Sequence, residues 1–206
     1  MKYIKLCLLL VLAAAVTGCA SMKMSTDDRK NLKRVNIASI QLPEKPMVLS
    51  SGAGIGFLLA GPLGIAIANG TSDLPTAYKD LLAQNKIDVA AGIQDKFKSQ
   101  LTLKGIQVVQ SATEADASLV VEVLQYGLTG SPFSSDRFPQ LWANVKLTNR
   151  NGNVIWKEMI AAHISQDVMK QVEPRPVSDY FSDRALLETQ INKVTEILVT
   201  SAVDTL

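Results

Sequence analysis

The sequence predicts an α+β fold: an antiparallel or mixed β-sheet of about five strands with two main helices packed on one face. Three observations carry this expectation. Apolar residues recur at helical spacing over 87–101 and again over 187–202. They alternate every second position over 140–162, and the pair Asn151-Gly152 interrupts that alternation where a hairpin would reverse. The order that follows is strand, helix, four strands, helix, which lets both helices cover one side of a single sheet.

Val35 to Leu42 (VNIASIQL) has the β-branched and apolar content of a first strand, and Pro43 and Pro46 bound it because proline cannot donate to a ladder. Residues 52–70 (GAGIGFLLAGPLGIAIANG) then carry no charge. Small residues recur every fourth position at Gly52, Gly56, Ala60, Gly64 and Ala68, which in a helix makes a ridge suited to close packing against a partner or a membrane. The segment resembles the glycine-zipper stretches of bacterial envelope proteins. Pro62 interrupts the helical register, so three uses stay open: a packed apolar loop, a membrane-inserting or interfacial segment, or a self-association helix.

In the first main helix, Ile87, Ala90, Ile93, Phe97 and Leu101 form one stripe, and Gly105 is suited to the left-handed residue that ends it. Residues 77–84 are either its first turns or a separate short helix, with Asn85 at the joint. Ile106 to Gln110 is a short strand and Leu119 to Leu124 a stronger one. There Leu119, Val121 and Val123 project one way and Val120, Glu122, Leu124 and Tyr126 the other, so both faces are expected to be largely covered. Residues 127–139 (GLTGSPFSSDRFP) read as a turn-rich loop whose Phe133 and Phe138 are candidate partner contacts or else fold back onto the sheet edge.

The hairpin places Leu141, Ala143, Val145 and Leu147 on one face, turns at 149–152, and returns through 154–161. In the last helix Leu187, Ile191, Val194, Leu198 and Ser201 or Ala202 make the stripe. Ser178 or Ser182 would cap it, with Asp183 near its positive end.

The amino terminus sets the address. Lys2 and Lys5 precede an apolar run from Leu6 to Val16, too short to span a bilayer, and Val16-Thr17-Gly18-Cys19 follows. This pattern resembles the signal peptide and lipobox of bacterial lipoproteins. The resemblance implies removal of residues 1–18 and acylation of Cys19, as a thioether-linked diacylglyceryl group with a further chain on the new amine. Several chains give stable attachment at about 0.8 kcal/mol per buried CH₂. Ala20 and Ser21 lack the aspartate of inner-membrane retention, which implies an outer-membrane protein facing the periplasm. Residues 19–33 are then expected to be the lipidated cysteine and a flexible tether, and 34–206 a single domain.

Removing Lys2 and Lys5 from the 21 basic residues leaves 19, equal to the 19 acidic ones, so charge gives no reason to expect nucleic-acid binding. Lys30, Lys33 and Arg34 form the compact basic cluster, at the membrane-proximal end. Cys7 leaves with the signal segment, so no intramolecular disulfide is expected.

No catalytic constellation is legible. The glycines at 52–56 lack the dinucleotide spacing, and no Gly-Lys-Ser or Gly-Lys-Thr follows. His163 is the sole histidine, without the ligand set of a metal site or a spare cysteine. No cofactor or metal is therefore expected. Ala117 to Val123 and Leu147 to Trp156 resemble the strands of small periplasmic lipoprotein domains, such as those in activators of cell-wall synthases and in the curli secretion lipoprotein. That resemblance implies a non-enzymatic interaction or assembly component with an envelope protein partner. Two other roles fit the same residues: an oligomeric secretion or pore-associated lipoprotein inserting 52–70, and an envelope hydrolase.

Overall fold

A computed structural model of the chain describes residues 21–49, 73–131, 134, 136–162 and 170–206. Cys19, the small-residue series Gly52, Gly56, Ala60, Gly64 and Ala68, Phe133 and His163 lie outside the described residues.

The architecture is α+β, a mixed sheet with two long helices on one face. Its order is α1 (Thr26–Asn31), β1 (Arg34–Gln41), β2 (Met47–Val48), α2 (Leu74–Gln84), α3 (Val89–Leu103), β3 (Gln107–Val109), β4 (Ala117–Thr129), β5 (Asp136–Asn149), β6 (Val154–Ala162), β7 (Arg175–Pro176), α4 (Val177–Ser182) and α5 (Arg184–Asp204). The strands lie side by side as β3-β1-β4-β5-β6, with β2 added to β4 and β7 to β5. β1 runs parallel to β3 and β4, whereas β4, β5 and β6 are antiparallel.

Alternation builds the sheet. Leu119, Val121 and Val123 of β4 face the helices beside Leu141, Ala143, Val145 and Leu147 of β5, and all seven are buried. Trp156 of β6 stands opposite Leu147 and is fully buried. The β5–β6 turn closes on Asn149, whose side-chain oxygen accepts from the Asn151 and Asn153 amides, and Gly152 takes φ +82°. Val89, Ile93, Phe97 and Leu101 line the inward side of α3; Leu187, Ile191, Val194, Leu198 and Ala202 do so for α5. Gly105 enters the left-handed region at φ +76° just past the α3 terminus.

Helices α2, α3 and α5 each start on an aspartate. Asp73, Asp88 and Asp183 accept from the amides of Thr76, Ala91 and Leu186 at 2.7, 2.9 and 3.0 Å. Asp183, rather than Ser178 or Ser182, therefore caps α5. Residues 77–84 belong to a separate helix, α2, which ends at Asn85.

Three expectations need correction. Residues 21–33 are not a free tether: Met22 exchanges two backbone hydrogen bonds with Lys157 on the β6 edge, Ser25 caps α1, and Met24 and Leu32 are buried. Two well-placed apolar side chains and one strand bridge hold a segment whose composition is polar. The supposed loop at 127–139 is largely strand, because β4 and β5 continue pairing from Gly127↔Gln140 to Thr129↔Phe138 and β2 supplies a further ladder at Met47↔Gly127. Finally, β4 is not covered on both faces. A bulge between Val123 and Gln125 shifts the phase of alternation, which turns Tyr126 and Leu128 into the core while Glu122 and Leu124 stay exposed.

Candidate functional site

The side of the sheet away from α3 and α5 is the first candidate surface. Register brings its residues together in rows: Val120 opposite Lys146 and Lys146 opposite Lys157, then Glu122 opposite Asn144 and Asn144 opposite Met159. Lys146 and Lys157 stand directly across from each other on β5 and β6, which makes the spot locally cationic. A depression of about 480 Å³ lies over Val120, Glu122, Asn144, Lys146, Val154 and Lys157. Apolar side chains adjoin it at unusual exposure: Leu124 at 39%, Met159 at 44% and, on the strand bridged to β6, Met22 at 46%. An antiparallel bridge puts Met22 on the same face as Lys157. This patch mixes cations with flexible apolar groups and no described helix closes it, which suits contact with another surface better than chemistry on a small substrate.

The second candidate surface is the groove between α2 and α3. About 460 Å³ wide in volume, it is floored by Leu42, Leu82, Ile87 and Tyr126 and rimmed by Lys79 and Lys86. Lys86 holds φ +57°, a left-handed conformation that lets the chain turn sharply from α2 into α3. Lys79 donates to the Glu44 carbonyl at 2.9 Å. Burial pushes the Tyr126 hydroxyl above its ordinary pKa, so it stays neutral here.

Arg137 organises the end of the sheet at which Leu49, the residue after β2, lies. It is only 1% exposed, and its guanidinium donates to four backbone carbonyls: Leu49 at 2.7 Å, Ser131 at 3.3 Å, Ser134 at 2.5 Å and Asp136 at 2.7 Å. Those carbonyls solvate a cation that burial would otherwise make very costly. Gly130 permits the approach, since a Cβ there would stand 3.1 Å from Arg137 Cδ and 2.5 Å from the Asp136 oxygen. Tyr180 of α4, buried and raised in pKa chiefly by desolvation, donates to the Arg137 carbonyl at 2.8 Å. Leu49 after β2, Ser131 and Ser134 between β4 and β5, and Tyr180 of α4 therefore share one anchor.

Asp116 ties the opposite end. Partial burial raises its pKa, but the amides of Lys33 and Arg34 and the charges of Arg34 and Arg150 outweigh that and hold it below the usual carboxylate range. Arg34, part of the basic cluster, is thereby committed to an internal ion pair. Among the described residues no group of three or more His, Cys, Asp or Glu could hold a metal ion, and no helix is long and apolar enough to cross a membrane.

Of the two predicted contacts, Phe138 alone falls among the described residues. Phe138 sits in β5 at 4% exposure, with its ring in the core, so it is not a surface handle. Met22, Leu124, Met159 and Val154 are exposed, as are Leu49 and Leu103 elsewhere among the described residues. For Leu124 and Met159 the sequence offered only an apolar side chain within an alternating strand, and for Met22 none. Arg137 had no signal beyond its place between two strands.

No family model matches the chain, and no curated protein does. Solved structures resemble it at low identity. A protein from Xanthomonas campestris is 17% identical over 56% of this chain and 62% of its own, with a TM-score of 0.40. A minor lipoprotein from Acinetobacter baumannii is 15% identical over 55% of this chain and 84% of its own, at 0.36. A PelC dodecamer from Paraburkholderia phytofirmans is 13% identical over 81% and 86%, also at 0.36. The chain thus spans less than two thirds of the Xanthomonas protein. Bacterial lipoproteins are among the chains it resembles.

Proposed function

We propose that the protein is an envelope lipoprotein, anchored in the outer membrane through an acylated Cys19 and facing the periplasm, that serves as a non-enzymatic interaction or assembly component. The observation that carries this reading is Val16-Thr17-Gly18-Cys19 behind a cationic, apolar leader, followed three residues later by Met22, which is bonded into the sheet. The character of the described surfaces supports it. They are an open cationic and apolar sheet face and an open groove between α2 and α3, both suited to broad contacts.

Two measurements test the two halves. Intact mass of the membrane-extracted protein is expected to show a chain beginning at Cys19 with added acyl chains; a free thiol there, or another N-terminus, removes the anchor. A photoreactive residue in place of Lys86 is expected to give a discrete cross-linked species in intact envelopes. Absence of any such species, with equal labelling of bulk lipid and water, argues against a partner at the groove.

A further inference from the structure

Met22 lies three peptide steps from Cys19, and a fully extended chain spans at most about 3.3–3.6 Å per residue, so their Cα atoms are no more than about 11 Å apart. Met22 is itself fixed: its N–H donates to the Lys157 carbonyl at 2.7 Å and its carbonyl accepts from the Lys157 amide at 3.0 Å. Ser21 adds a hydrogen bond from its hydroxyl to Glu158 at 3.0 Å. The lipid anchor is thus joined to a set point on the sheet edge, and slack equal to the width of the domain is not available. Whichever surface surrounds Met22 must lie near the headgroups.

That surface has the chemistry for it. We infer that the β6 edge and the adjoining helix-free face, with Met22, Met159 and Leu124, rest on the lipid surface of the membrane in which Cys19 is anchored. The exposed apolar side chains enter the interfacial layer, about 5–10 Å deep for groups of this kind, and the Lys146–Lys157 pair meets anionic headgroups. Glu122, also exposed on this face and in the same strand as Leu124, accepts from the Asn144 side-chain amide at 3.5 Å. The α2–α3 groove and the outer side of α5 are left toward the periplasm. This orientation rests on the acylation proposed above, and it adds which face meets lipid.

Because Cys7 leaves with the signal segment and acylation consumes the Cys19 thiol, the mature chain offers no competing thiol to a single introduced cysteine. Met159→Cys, Leu124→Cys and, on the exposed side of α5, Lys193→Cys would each be spin-labelled in the acylated full-length protein. The proteins would be placed in phosphatidylethanolamine/phosphatidylglycerol vesicles and in detergent, with folding checked by circular dichroism. Moving from detergent to vesicles, labels at 159 and 124 are expected to lose access to a water-soluble relaxant by about twofold or more, as for side chains seated in the headgroup layer, while position 193 does not change. Equal access at all three sites in a chain whose mass shows acylation overturns the orientation and leaves the anchor intact. An unmodified Cys19 overturns both. Protection at 159 already present in detergent, together with a dimer mass, assigns the face to a second copy and overturns the lipid contact.

Discussion

The two faces of one sheet differ in what they are made for. Toward α3 and α5, β4 and β5 present Leu119, Val121, Ala143, Val145 and Leu147, all buried; on the reverse, the intervening positions are Val120, Glu122, Asn144 and Lys146, half-buried or exposed. The same two strands therefore supply most of the core on one side and an open cationic and apolar surface on the other. Stability is concentrated in the first face, and the second is free to carry residues chosen for contact.

That comparison is broken or kept most sharply by paired truncations. Phe97→Ala on α3 removes a fully buried ring and is expected to lower unfolding stability by about 3–5 kcal/mol. Met159→Ala on the open face is expected to stay within about 0.5 kcal/mol of wild type. Urea unfolding measures both. A Met159→Ala loss approaching that of Phe97→Ala would mean that the second face is part of the core.

Arg137 is the instructive exception, a cation buried at the margin where β2, β4, β5 and β7 meet. Replacing it with Leu keeps much of the volume but leaves the carbonyls of Leu49, Ser131, Ser134 and Asp136 without their donor, each such buried group costing about 1–3 kcal/mol if water does not reach it. The expected loss is smaller than for Phe97→Ala because this margin lies close to solvent. Amide exchange should quicken first at Leu49, whose N–H bonds the Leu128 carbonyl. If exchange there is unchanged while global stability falls, Arg137 acts through the core rather than as the local anchor of this strand end.

Periodicity made the covered face legible. The α3 and α5 stripes and the alternation through Leu141 to Leu147 need only near neighbours in sequence, and the Asn151-Gly152 reversal is equally local. What escaped depends on distant partners. Residues 127–129 and 136–139 look like a loop by composition, yet they become strand because β4 and β5 continue to pair with each other and β2 comes to lie beside Gly127. The bulge near Leu124 reverses the facing of Tyr126, which no count of alternating residues reveals. Arg137 is buried because residue 49 and the β4–β5 connection converge on it. On the open face, Lys146 and Lys157 were visible as ordinary outward positions, but their juxtaposition needed the β5–β6 register, and the nearness of Met22 needed a bridge between residues 135 positions apart.

The smallest expected effect concerns how α2, the helix before α3, is started. The Asp73 carboxylate caps α2, and its pKa is lowered from 3.8 to about 2 by the side chain and then the amide of Thr76, with Lys45 adding to the effect. Between those two values the unfolded chain takes up a proton that the folded chain refuses, so stability rises with pH across this window. The contribution is fully present above about 3.8 and is lost as pH falls through about 2. Asp73→Asn isolates the charge, because an asparagine oxygen can still accept from the Thr76 amide. Wild type is expected to exceed Asp73→Asn in urea midpoint at pH 5 by a small margin that closes toward pH 2. A margin of constant size across that range would show that the cap acts through geometry alone, and that the ionic contacts at this helix start, unlike the packing of the covered face, add nothing to stability.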